Sequence, residues 1–277
     1  MSAARLHSPA FNAPAMTWFD GVGDGRSGAR SGVSACSRQS PSAQAIGCLA
    51  PWILIALLSP PSYSQFLPDL QARTPAEYDA YLDALDGPVI DKGAAFLRSY
   101  PESALRLPVH EFMTRAFRRQ ADAARAIDAA SAGLAIAPDY IPLLVELADL
   151  LANGSTGLTR AETAARRALT LLETAKAPRR IAPGTWTEAL AGLRARSHAA
   201  LGLVHFKRDD LAGAIREFEA ALAHRSSESP AVHYRLGRLH ASAGRRAEAR
   251  RHLREAERTG DPALRELAGI ALREIAE

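Results

Sequence analysis

Apolar and small residues between Arg196 and Pro262 recur with a helical period, and the recurrence is itself repeated. His198, Leu201, Gly202 and His205 are followed by Ala214, Phe218 and Ala221. His233, Leu236, Gly237 and His240 are followed by Ala249, Leu253 and Ala256. Each member of the second set stands 35 residues after its counterpart, as in Gly202 to Gly237 and Ala221 to Ala256. Within a copy the first segment is apolar at i, i+3 and i+7 and the second at i, i+4 and i+7, so both halves are predicted to be amphipathic helices. The clearest stripe is Leu211, Ala214, Ile215, Phe218, Ala221 and Leu222.

The same reading extends upstream. Thr74, Pro75 and Glu77 form a helix start, with a hydroxyl N-cap, proline at the first helical position and a carboxylate reaching back. That helix carries Tyr78, Tyr81, Leu82 and Leu85 and stops at Asp86-Gly87-Pro88; a second, through Ile90, Ala94 and Leu97, ends at Tyr100-Pro101. The next pair runs from about Pro108 to Pro138, with His110, Met113 and Phe117 on one helix and Ala126, Ala130 and Leu134 on the other. A further pair has Leu144, Leu147, Ala148 and Leu151, then Ala161, Ala165 and Ala168, joined by the turn Asn153–Gly157. A Pro- and Arg-containing insertion, Lys176 to Gly184, precedes a long helix expected from Thr185 through Phe206. Asp261-Pro262 opens a last helix with Leu264, Leu267, Ala268, Ala271 and Ile275 on one face.

A period in the mid-thirties, made of two helices with a small residue late in the first and an alanine early in the second, resembles the tetratricopeptide repeat. Small residues at Gly202, Gly237, Ala214 and Ala249 allow the two helix axes to approach, and Phe218 and Leu253 fill the space beside them. Thr114 stands where glycine is usual, which predicts a looser contact in that pair. The resemblance implies an all-α, right-handed superhelix of about five helix pairs with a C-terminal capping helix, the cap covering an apolar face that the last repeat would leave in water. It also implies a protein that presents a groove to another molecule.

The first 64 residues differ in kind. Residues 1–44 are rich in Ser, Gly, Ala and Pro without a sustained period, a composition that cannot bury enough surface to fold alone. Gly23-Asp24-Gly25-Arg26-Ser27-Gly28 matches a dinucleotide fingerprint, but the helix such a fingerprint opens is missing, and the match is read as chance. From about Ile46 to Leu58 the chain is apolar and uncharged, too short to span a bilayer comfortably and suited to the core of a signal peptide. Ser62 and Ser64 then supply small residues, so cleavage before Gln65 is expected, leaving 65–277 as the repeat domain. The alternative is an uncleaved membrane anchor, against which Pro51 and Pro60-Pro61 argue. Cys48 follows Ala-Ile-Gly as in a lipoprotein box, yet the apolar run comes after it, which disfavours lipidation. The long stretch ahead of the apolar run is explained if translation starts further in.

Charge narrows the function classes. Of 34 Lys and Arg and 30 Asp and Glu, the leader holds Arg5, Arg26, Arg30 and Arg38 against Asp20 and Asp24. The near-balance that remains is not a nucleic-acid footprint, and the arginine clusters at 115–119, 166–167 and 245–258 lack the interleaved aromatics a nucleic-acid groove uses. They read as solvated helix faces. Both cysteines, Cys36 and Cys48, precede the expected cleavage, so a processed chain has no thiolate chemistry. His198 with His205, and His233 with His240, are seven residues apart, about 10.5 Å along a helix, too far to share one ion. They occupy slots that the family fills with packed aromatics and are read as packing residues. His110-Glu111 begins a zinc-protease signature that Thr114 breaks, and no P-loop or nucleophile elbow appears. No catalytic residue, metal or cofactor is expected.

By the resemblance, the concave face is lined from the first helix of each pair by Glu111, Arg115, Arg118, Val145, Asp149, Leu203, Tyr234, Arg235 and Arg238. Family repeats that grip chaperone C-termini use lysine and asparagine there. This chain instead has Glu111 and Arg115, Val145 and Asp149, Ala199 and Leu203, and Tyr234 and Arg238, so that specificity is not implied. The function expected is a non-catalytic scaffold for a protein or peptide, exported to the periplasm or cell exterior. The alternatives are an accessory subunit of an envelope transport or secretion complex, anchored through an uncleaved leader, and an enzyme with an unrecognised site.

Overall fold

The computed structural model describes residues 72–154, 157–177, 182–224 and 229–275. The apolar run at 46–58, the fingerprint match at 23–28 and the expected cleavage before Gln65 lie outside these residues. The described residues contain eleven helices and no strand. They pair in order: α1 (Pro75–Leu85) with α2 (Val89–Ser99), α3 (Arg106–Arg119) with α4 (Ala123–Ile136), and α5 (Ile141–Asn153) with α6 (Leu158–Thr174). Next come α7 (Pro183–Lys207) with α8 (Leu211–His224), then α9 (Pro230–Ser242) with α10 (Arg246–Thr259), and α11 (Pro262–Glu274) closes the series against α10. This is the expected superhelix of five pairs and a cap. No helix among the described residues is long and apolar enough to cross a membrane.

Local chemistry sets the helix ends. The Thr74 hydroxyl accepts from the Glu77 amide at 3.1 Å, with Pro75 supplying the fixed first-turn φ. The Glu77 carboxylate does reach back, but to the amide of Arg73 at 2.7 Å, one residue before the cap. Its other oxygen accepts from Ser103, tying the first helix to the loop ahead of α3. Asp261 caps α11 by accepting from the Leu264 amide at 2.8 Å. The second pair starts two residues before Pro108, which sits in the first turn of α3, where its missing N–H has no helical partner to lose.

Close packing follows the small residues. A Cβ at Gly202 would lie 2.8 Å from Cδ1 and Cε1 of Phe218, so the ring of α8 rests directly on the backbone of α7. Leu253 stands in the same relation to Gly237, its Cγ 2.5 Å from where a Cβ would be. In the second pair Thr114 replaces that glycine. Thr114 is fully buried, its hydroxyl donates to the His110 carbonyl at 2.7 Å, and the opposing α4 supplies buried alanines at 126, 129 and 130. The larger side chain is accommodated by small residues on the other helix of the pair.

A continuous apolar core runs from Leu107 through α5 to α9, with Leu143, Leu172, Leu193, Phe218 and Leu236 among its buried members. At the C-terminal end Ala271 of α11 and Ile275 just after it cover Ala249 and Leu253 of α10, which gives the cap its role.

Candidate partner-binding face

The first helices α3, α5, α7 and α9 carry the positions expected to line the groove, and the structure joins three of these helices through charge. Glu146 and Asp149 are three residues apart on α5 and so project from one side of it. Arg118 of α3 approaches both, with Nη1 2.7 Å from Glu146 Oε2 and Nη2 3.3 Å from Asp149 Oδ2. Arg196 of α7 does the same from the opposite side, at 2.9 Å from Glu146 Oε1 and 3.5 Å from Asp149 Oδ2. Two guanidiniums and two carboxylates thus close a ring across three consecutive repeats. Glu146 is only 3 % exposed and Arg196 8 %. Burial alone would raise the Glu146 pKa, but the charge and hydrogen bond of Arg196, followed by Arg118 and Arg115, outweigh it and hold the carboxyl down at about 2.

Beside the ring, Glu111 pairs with Arg115 one turn later and accepts from the Tyr140 hydroxyl. Here burial prevails. It raises the Glu111 pKa despite Arg115 and the tyrosine hydrogen bond, with the nearby Glu146 adding to the rise. Burial and the Glu111 charge in turn push the Tyr140 phenol well above its ordinary value. Further along, Lys207 at the end of α7 donates to the carbonyls of Asn153 and Gly154, orphan acceptors at the C-terminus of α5. Arg235 of α9 reaches Asn153 Oδ1 at 3.4 Å, and burial draws its pKa down to about 10 against the pull of Asp149. Arg238 pairs with Glu274 of the cap.

The residues expected on this face therefore divide. Glu111, Arg115, Arg118 and Asp149 converge in one polar cluster. Leu203 and Val145 are buried in the apolar core, and Tyr234 is half-buried against the C-terminal cluster. Arg235 and Arg238 share a helix but reach opposite neighbours, Asn153 on one side and Glu274 on the other. Sequence reasoning missed Glu146 and Arg196. The signal for Glu146 was present, because a single carboxylate inside the apolar run Ile141–Ala148 must find a cation if it is buried.

The histidines are paired between helices rather than along them. His198 Nδ1 lies 2.8 Å from Glu217 Oε2, and His205 Nδ1 2.8 Å from Asp210 Oδ2. Among the described residues no three of His, Cys, Asp or Glu are placed to hold a metal ion.

Residues 205–269 match the family model described as tetratricopeptide repeat. No curated protein matches the sequence significantly. Among solved structures, the APC/C hetero-tetramer Cut9–Hcn1 is similar at 17% identity with a TM-score of 0.51, over 70% of this chain and 35% of that one. MamA is similar at 17% identity and a TM-score of 0.42, over 61% of this chain and 86% of that one. TTC0263, a thermophilic TPR protein of Thermus thermophilus, is similar at 19% identity and a TM-score of 0.45, over 71% and 95%. At these identities the likeness is one of fold.

Proposed function

We propose that this chain, a tetratricopeptide repeat protein, is a non-catalytic scaffold that binds a protein or peptide along its first-helix face after export to the periplasm or cell exterior. Repeats of this family generally mediate protein–protein interaction. The observation that carries the reading is the Arg118–Glu146–Asp149–Arg196 ring, buried at Glu146 and Arg196, which locks three first helices in register and presets the polar side chains along them. Preset side chains lose less freedom when a ligand orders them. Arg235 and Arg238 extend the polar row onto α9, and a guanidinium matches a carboxylate through paired hydrogen bonds, which favours an acidic segment as ligand.

A photoreactive residue in place of Arg115 or Arg238 in the full chain, expressed in its native source, should capture a discrete partner. One in place of Arg254, exposed on α10, should not. Capture from Arg254 alone would move the binding surface to the second helices. With that partner in hand, R235Q/R238Q should weaken binding at least tenfold, about 1.4 kcal/mol, while the helical circular dichroism stays the same. Unchanged affinity in the folded double variant removes α9 from the site.

Export rests on the apolar run at 46–58 and the small residues at Ser62 and Ser64. The exported form is expected to begin at Gln65. An intact mass that retains residues 46–58 favours the anchored alternative instead.

A further inference from the structure

The 35-residue repeat contains its own comparison. Glu217 of α8 corresponds to His252 of α10, just as His198 corresponds to His233. In the fourth pair the contact between helices is His198 Nδ1 to Glu217 Oε2 at 2.8 Å; in the fifth it is His233 Nδ1 to His252 Nδ1 at 2.9 Å. An imidazole facing a carboxylate gains from a proton, because the hydrogen bond becomes charge-assisted. Two imidazoles joined through Nδ1 need one donor and one acceptor, so the contact exists only while at least one of them is neutral. With both protonated, two N–H groups and two positive charges would meet at that distance.

The surroundings sharpen the contrast. His233 is 9 % exposed and His240 4 %. The His240 ring lies parallel to His252 within 3°, their centroids 5.4 Å apart, and the buried His240 Nδ1 has no hydrogen-bond partner among the described residues. Arg251 and Arg258 line the same cavity of about 340 Å³ as His233, His252 and Glu255. Of the facing carboxylates, Glu255 is held by Arg258 at 2.5 Å. Glu219 of α8 and Glu248 of α10 act on His240, as does Arg245, and Glu274 of α11 is engaged by Arg238.

We propose that the His233–His252 contact is an acid-sensitive latch, which holds α9 on α10 while at least one of its imidazoles is neutral and releases the fifth pair when both take a proton. In the fourth pair His198 meets the Glu217 carboxylate and stacks on His224 of α8 at 5.4 Å, and its contact between helices survives protonation. Burial first, then His233, His240 and Arg251, bring the His252 pKa down to about 4, and burial together with Arg245 lowers that of His240 against Glu219 and Glu248. A histidine whose folded pKa lies below its unfolded value of about 6.5 contributes stability that is complete above pH 6.5. That stability is lost as pH falls from there toward 4. The helix released is the one that carries Tyr234, Arg235 and Arg238.

Amide hydrogen exchange of the full chain, corrected for the intrinsic pH dependence of exchange, tests this. Between pH 7.5 and pH 5.0 the opening equilibrium of α9 and α10 should rise at least about tenfold, while α7 and α8, where partial burial and His198 lower the pKa of His224 but His198 keeps its carboxylate, should rise by clearly less. His252→Glu copies the fourth pair and should reduce the acid response to the part that His240 contributes. Glu217→His copies the fifth pair and should enlarge the response of α7 and α8. Parallel opening of both pairs in the unaltered chain would overturn the latch, and so would an undiminished acid response in folded H252E.

Discussion

Phe218→Ala is expected to destabilise the protein by about 3–5 kcal/mol in urea unfolding at neutral pH. Phe218 is 1 % exposed, and two of its ring carbons lie within 2.8 Å of the point where a side chain on Gly202 would begin. Removing the ring leaves a void against the bare backbone of Gly202, which offers no side chain to fill it. The fourth pair lies between the third and the fifth, and in a stack of repeats each interface supports the next, so loosening α8 also weakens the seat of α9. Part of the loss should therefore appear as a broader unfolding transition. A loss below about 1 kcal/mol would mean that the ring does not fill the space between α7 and α8.

Phe218 was legible before any coordinates, because it lies on a repeated stripe opposite a repeated glycine. The long helix after the insertion was read to within two residues, Thr185–Phe206 against Pro183–Lys207; it starts earlier because Pro183, counted with the insertion, suits the first helical position. The face proved harder to read. Its positions were taken from helix register alone, and register cannot distinguish Val145, wholly buried, from Asp149, which faces two arginines. Arg196 was hidden for another reason. It lies 50 residues from Glu146, and the insertion before α7 breaks the 35-residue register that would have brought them together. The histidines were compared along one helix at a spacing of seven. The partners of His198 and His233, Glu217 and His252, are each 19 residues away on the second helix of the same pair.

Arg196→Met should cost about 3–5 kcal/mol, because it removes one partner from a buried ion pair and leaves Glu146 with less to offset its lost hydration. Methionine keeps much of the volume and the apolar stem, so the loss reports charge more than packing. The double variant E146L/R196M still contains the Arg118–Asp149 pair and takes both unmatched groups out of the interior. It should be more stable than R196M alone by at least about 1 kcal/mol. The pH dependence supplies an independent check. Glu146 has a folded pKa of about 2 against an ordinary 4.5, so its contribution is complete above pH 4.5 and disappears as pH falls through that interval. Glu111 acts in the opposite sense. Its raised pKa means that it takes up a proton more readily folded than unfolded, which partly offsets the acid loss of Glu146. Urea midpoints at pH 7 and pH 3 should therefore lie further apart in the unaltered protein than in E146L/R196M, in which Glu111 remains and Glu146 is gone. If both proteins lose the same stability on acidification, and R196M costs less than about 1 kcal/mol at neutral pH, the ring is hydrated and does not hold α3, α5 and α7 in register.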